Sequence, residues 1–125
     1  MQQIRPEGGP KPGGAYVPGI RAGDLVFVSG QGPNDPQTGE IVAEDIEGQV
    51  RATLANVGRV LAAAGATLQD VVRIDAYLAD LADFPEYDRV FRDVFAGHLP
   101  TRTTVQAGLA GILVEINAIA FTGEG

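Results

Sequence analysis

Two ionisable residues stand where their types need a reason. Glu115 is the single charged residue of Ile112-Leu113-Val114-Glu115-Ile116-Asn117-Ala118-Ile119-Ala120-Phe121. A carboxylate inside an apolar strand is costly unless it is paired, hydrogen-bonded or used. If used, it could act as a general acid or base, or orient a water. If not, it is one arm of a structural ion pair or marks a wet sheet edge. Arg102 follows Pro100-Thr101 at the start of another strand-like segment. Its guanidinium could fork onto a ligand carboxylate. It could equally neutralise a nearby acid, Glu115 included.

Weaker candidates lie elsewhere. Ser29-Gly30-Gln31 ends an apolar run. Strand ends are where polar groups meet ligands, and a glycine lets a ligand approach the backbone; an ordinary strand-terminating turn reads the same way. Tyr16 sits among glycines and prolines, where its ring could anchor the segment on the core or its hydroxyl could donate to a ligand. His98, the one histidine, follows a helix and suits the helix dipole better than catalysis. Tyr87 reads as core and Asp88 as solvated. With no cysteine there is no disulfide, thiol nucleophile, thiolate metal site or iron–sulfur cluster. A zinc site built on one histidine would be unusual, so no metal is expected. The glycines of residues 8–14 lack the Gly-Lys-Ser/Thr and the preceding strand of a phosphate loop.

These residues need elements to hold them. Residues 1–14 are rich in glycine and proline and read as an extended arm. A short strand over residues 15–20 is followed by a turn over 21–24 and an apolar strand over 25–29; residues 30–39 are loop. Asp45 suits an N-cap. Ile46, Val50, Leu54, Val57, Leu61 and Ala64 recur at spacings of 4, 4, 3, 4 and 3, one stripe of a helix, with Gly65 at a left-handed C-cap. Residues 71–79 form a strand with Val72, Ile74, Ala76 and Leu78 on one face. A second helix starts at Asp83, with Glu86 placed for a capping box. It carries Phe84, Tyr87, Phe91 and Val94 and ends near Gly97 and Pro100. Residues 102–107 and 112–121 are strands joined by Leu109-Ala110-Gly111, which predicts a hairpin. The order is ββαβαββ, an α+β domain of two layers with both helices on one face of a mixed sheet. Two helices cover one face only. The strands at 25–29 and 112–121 are apolar on both, so the other face should be buried against a second copy.

The bulk properties fit a single domain over residues 1–125. The chain is 45% hydrophobic and 20% charged, with 16 acids against 9 bases and a net charge of −7. An acidic protein repels phosphate backbones, so nucleic-acid binding is disfavoured. No secretory signal and no apolar run of membrane-spanning length is visible, which predicts a cytoplasmic protein with no membrane partner.

Taken in order, several segments resemble the RidA/YjgF reactive-intermediate deaminase family. They are Val26-Phe27-Val28-Ser29-Gly30-Gln31, Gln49 with Asn56, Ala63-Ala64-Gly65-Ala66, Asp70-Val71-Val72, Asp83-Phe84, Pro100-Thr101-Arg102-Thr103 and Val114-Glu115-Ile116-Asn117-Ala118-Ile119-Ala120. The resemblance implies a chorismate-mutase-like fold and a homotrimer with ligand sites between subunits. It implies hydrolysis of enamine and imine acids such as 2-aminoacrylate or 2-iminobutyrate to a 2-keto acid and ammonia, with no cofactor. It assigns Arg102 to the substrate carboxylate, Glu115 to the attacking water, Tyr16 to the pocket wall, and Ser29 and Gly30 to strand-end donors. Thr104 would join the substrate pocket at a position where cysteine is common. Other departures are Ala15-Tyr16-Val17 for the usual Pro-Tyr-Ser, Asp88 for a common asparagine, and a short Leu109-Ala110-Gly111 connection. The rival readings are a non-enzymatic binder of small carboxylates in the same cleft, and an RNA-directed activity that the acidic charge disfavours.

Overall fold

The helical spacing is realised in a computed structural model, which describes residues 1–8 and 11–123. Helix α1 spans Ile46–Ala63, capped by Asp45, whose side chain accepts from the Gly48 N–H. Val50, Leu54, Val57 and Leu61 of the predicted stripe are fully buried. After Ala64, Gly65 turns left-handed at φ 75°, and the Ala66 N–H returns to the Leu61 carbonyl. Only a residue without Cβ takes that conformation cheaply.

The strands are β1 (Gln2–Ile4), β2 (Gly19–Ala22), β3 (Leu25–Gln31), β4 (Val71–Leu78), β5 (Thr101–Gln106) and β6 (Val114–Phe121), with helix α2 (Phe84–Phe95) between β4 and β5. They make one six-stranded sheet in the order β1-β2-β3-β6-β4-β5. Neighbours are antiparallel except β4 and β5, which run parallel. The fold is α+β, with both helices on one face of a mixed sheet. The core lies between: Val26, Val28, Ile74, Ala76, Leu78, Val114, Ile116, Ala118 and Ala120 from the sheet meet the helices.

Five expectations are corrected. Val72 does not share the face of Ile74, Ala76 and Leu78: it is 44% exposed and Val71 is buried in its place, because the pairing of β4 with β6 slips between Val71 and Arg73. The N-terminal arm is extended but does not merely lead into the domain. Gln2–Ile4 adds an edge strand beside β2, and Ile4 enters the core at 2% exposure. Three residues with one apolar side chain give no periodicity to read. Gly9 and Pro10 of that arm lie outside the described residues. The first predicted strand is displaced: residues 15–18 are loop, and Gly19–Ala22 pairs with β3. Asp83 makes no capping hydrogen bond; Asp80 instead caps a short 3-10 turn through the Ala82 N–H, 2.9 Å away. Most consequentially, β5 and β6 do not form a hairpin. β4 lies between them, pairing with β5 on one side and β6 on the other. The β4–α2–β5 unit is a parallel crossover, and residues 107–113 carry the chain past β4 to reach β6.

Candidate functional site

Strand register decides what can meet. Arg102 pairs with Ile74, and Ile74 with Ala118. Paired residues share a face, and Ile74 and Ala118 lie beneath the helices. Arg102 and Thr104, two residues apart, therefore project to the helix side. Glu115 pairs with Tyr77, three residues along β6 from Ala118, and so projects to the open face. Two strand spacings and three residues separate the two backbones by roughly 14 Å. Within one chain Arg102 and Glu115 cannot share a ligand, and Arg102 does not neutralise Glu115.

Around Arg102 the geometry is specific. Its Nη2 donates to Asp88 Oδ1 at 2.7 Å. Three rings of α2 surround the guanidinium: the carbon Cζ lies 4.7 Å from the Phe91 centroid, 5.0 Å from Tyr87 and 5.4 Å from Phe84. Such rings attract the cation and restrict its movement. The Tyr87 hydroxyl bonds the Thr104 hydroxyl at 2.8 Å, and burial pushes the Tyr87 phenol up from its ordinary value. The Arg102 hydrogen bond holds the Asp88 carboxyl below the ordinary carboxylate value, so Asp88 is ionised at neutral pH. Asp88 Oδ2 also meets Arg92 Nη2 at 3.4 Å. A hollow of about 260 Å³ opens here, lined by Asp88, Phe91, Arg92, Leu99, Pro100 and Arg102. Asp88, expected to be merely solvated, is thus a partner of the arginine. Phe84 and Phe91, read as a core stripe, are walls of its seat. The signal was present: aromatics at i, i+3 and i+7 of one helix supply an aromatic face.

The second cluster forms where β3 ends. Val28 pairs with Ala118 and Gln31 with Ile116, so β3 spends one residue more than β6 between these pairs. Ser29 and Gly30 occupy this bulge, which re-aims the strand end. A Cβ built on Gly30 would stand 2.8 Å from Glu115 Oε2, so the glycine leaves the space that the carboxylate fills. Ser29 donates its hydroxyl to Val17 O at 2.7 Å and its N–H to Pro18 O at 2.9 Å. Both donors hold the Tyr16 segment instead of facing open space. The Tyr16 hydroxyl accepts from the Gly13 N–H at 3.0 Å, closing its own loop instead of anchoring on the core. Tyr16, Gly30, Gln31, Ile112 and Glu115 line a cleft of about 840 Å³.

Two buried amides of α1, which neither stripe nor chemistry singled out, tie the segments around this cleft to the helix. Asn56 Nδ2 donates to Gly32 O at 2.9 Å and Asn34 O at 2.8 Å. Gln49 Nε2 donates to Ala43 O at 2.9 Å while its Oε1 accepts from the Leu113 N–H at 2.8 Å. Gln49, Thr53, Asn56 and Val60 recur at 4, 3 and 4, a second helical stripe that the sequence does display. His98 lies just past α2, its Nε2 3.1 Å from the Val71 carbonyl, away from both clusters. Among the described residues no group of three or more His, Cys, Asp or Glu side chains is placed to hold a metal ion. No described helix is long and apolar enough to cross a membrane.

The sequence model of the family described as Endoribonuclease L-PSP matches residues 7–122, nearly the whole chain. The chain belongs to this family, the YjgF/RidA family. Among its YjgF/RidA relatives, a RutC family protein of Pyrococcus horikoshii is 42% identical over 92% of this chain and 93% of its own length. TdcF of Escherichia coli K12, named as a candidate reactive intermediate deaminase, is 40% identical over 86% of each chain. The crystal structure of E. coli TdcF with bound serine superposes with a TM-score of 0.92 at 37% identity, covering 98% of this chain and 100% of that one. A candidate endoribonuclease of Thermotoga maritima superposes with a TM-score of 0.93 at 33% identity, covering 100% and 99%.

Proposed function

We propose that this YjgF/RidA protein hydrolyses 2-imino and enamine acids, such as 2-iminobutyrate or 2-aminoacrylate, to the 2-keto acid and ammonia, at a site shared by two copies of the chain in a homotrimer. The observation that carries the reading is the separation of two half-sites. One face offers an arginine enclosed by three rings at the mouth of a hollow. The other offers a carboxylate beside a glycine bulge in a larger cleft. Neither half does the chemistry alone; the Arg102 half of one copy facing the Glu115 half of the next would. The exposed apolar residues of the open face, Leu25 at 37%, Phe27 at 40% and Val105 at 43%, supply a reason for copies to meet.

In the combined site, Arg102 holds the substrate carboxylate and fixes the imine carbon. Glu115 of the adjoining copy accepts a proton from water as the oxygen bonds to that carbon. Starting from the iminium form, Glu115 passes that proton to the nitrogen and then takes the hydroxyl proton as the carbonyl forms, the C–N bond breaks and ammonia leaves; Glu115 returns its last proton to solvent. Thr104 and Tyr16 shape the pocket, and no cofactor is required. Support comes from the deaminase name of the TdcF relative and from its capture with serine, a small 2-amino acid.

The test is subunit complementation with freshly generated 2-iminobutyrate. Arg102→Ala and Glu115→Gln should each lower turnover by about a hundredfold or more. Unfolded together and refolded as a mixture, they should recover part of the activity, because some interfaces then pair an intact Arg102 with an intact Glu115. Recovery absent from a mixture that does form mixed assemblies would overturn the shared site. Full activity of Arg102→Ala alone would overturn the deaminase assignment of that residue. A carboxylate bound without any turnover would favour the binding-protein reading. The family's description names an endoribonuclease, so salt-dependent RNA cleavage is the third outcome to measure. The net charge of −7 weighs against it.

A further inference from the structure

Arg102 does not meet a ligand as a free cation. Asp88 lies 2.7 Å from its Nη2, and both side chains line the same hollow, 31% and 21% exposed. Asp88 takes one N–H of a guanidinium that offers five, so the remaining N–H groups are available to a carboxylate. What changes is the charge that the ligand meets. A monoanion approaching Arg102 also approaches the Asp88 carboxylate, at a place where water screens only partly. Arg92, 3.4 Å from the other Asp88 oxygen and 66% exposed, offsets this weakly.

We propose that Asp88 is a specificity-determining residue that makes the Arg102 site select zwitterionic 2-imino or 2-amino acids over the 2-keto acids formed from them. The inference rests on Arg102 as the carboxylate anchor and names the charge form that anchor accepts. The fit is geometric. In a 2-iminium acid the positive nitrogen and the carboxylate sit on adjacent carbons. Arg102 and Asp88 are likewise opposite charges within one hydrogen bond of each other. The ligand's carboxylate can lie on the guanidinium while its N–H points to Asp88, two favourable contacts for one dipolar group. A 2-keto acid presents a carbonyl oxygen to Asp88 instead, and repulsion replaces a hydrogen bond. Binding thus favours the protonated, more electrophilic form of the substrate and promotes departure of the product. Asparagine at this position would keep the hydrogen bond from Arg102 and lose the discrimination.

The test is calorimetric titration of the assembled protein near neutral pH with two stable probes of one shape, 2-aminobutyrate and 2-ketobutyrate. The wild-type chain should bind 2-aminobutyrate more tightly. Asp88→Asn should strengthen 2-ketobutyrate and weaken 2-aminobutyrate, moving the ratio of their Kd values by about tenfold or more. Asp88→Ser, which removes the charge with a smaller side chain, should move it the same way. A ratio that shifts less than about twofold in both variants, while both probes still bind, overturns the role of Asp88 alone. If wild type binds neither probe, or Arg102→Ala binds both unchanged, the carboxylate-anchor reading fails, and this one with it.

Discussion

Gly30 and Glu115 are coupled by space. The nearest atom to a Cβ on Gly30 is the end of the Glu115 side chain, 2.8 Å away, and that end can swing. Gly30→Ala should therefore cost little stability, with a melting temperature within about 3 °C of wild type. On the proposed mechanism it should lower imine turnover by about tenfold or more, because a displaced carboxylate would no longer place the water. An unchanged rate with an unchanged melt would remove Glu115 placement as the reason for this glycine. The Arg102–Asp88 pair gives a pH signature. Arg102 lowers the Asp88 carboxyl in the folded chain, so the unfolded chain binds that proton first as pH falls. The pair's stabilisation is full above the ordinary carboxylate value and is lost as pH drops through the lowered one. Asp88 is about a third exposed, so the term is small, about 0.5 kcal/mol. Urea midpoints of wild type and Asp88→Asn should differ near neutral pH and draw together as pH falls below the ordinary carboxylate value.

Among the elements, α1 carries the most structural responsibility for the cleft. It contributes a hydrophobic stripe to the core and, one residue to the side, two amides that tie loops to it. Asn56 is fully buried and serves two loop carbonyls, Gly32 and Asn34. Asn56→Ala leaves both without that donor and opens a small void, a loss of about 2–4 kcal/mol. Chemical denaturation reads the loss directly. Because the freed loop lines the cleft that holds Glu115, ligand binding should weaken in the same variant even where it remains folded. The bulge at Ser29-Gly30 plays a matching part in the sheet, since it turns the end of β3 toward the same cleft.

For the whole molecule, the open sheet face is the unsolved surface of a single chain. Leu25 pairs with Phe121 and Phe27 with Ile119 on that face, so apolar side chains lie in adjacent rows. Phe27→Glu places a charge in the middle of them. If this face closes the trimer, the variant should sediment as a smaller species at micromolar concentration and lose imine turnover together with assembly. Wild type should sediment as a trimer. A monomeric wild type that still turns over substrate would contradict both the assembly and the shared site.

Much of this was legible in the order of residues. The period of α1, its Asp45 and Gly65 ends, and the apolar rows of β3, β4 and β6 are local properties, set by which side chains recur on one face. Glu115 was legible as unusual for the same reason, since a charge inside an apolar strand contradicts its neighbours; Arg102 stands in the polar strand Thr101–Gln106 and was marked instead by its place in the ordered family-like segments. Strand order was not. Residues 107–113 look like a short hairpin connection, yet nothing local says that β4 intervenes between β5 and β6; that choice is made when α2 packs and returns β5 parallel to β4. With it went the relation between the two charged residues. Face and partner follow from register with strands distant in sequence, and so only the assembled sheet could put Arg102 beside Asp88 under the helix and Glu115 beside Gly30 on the other side.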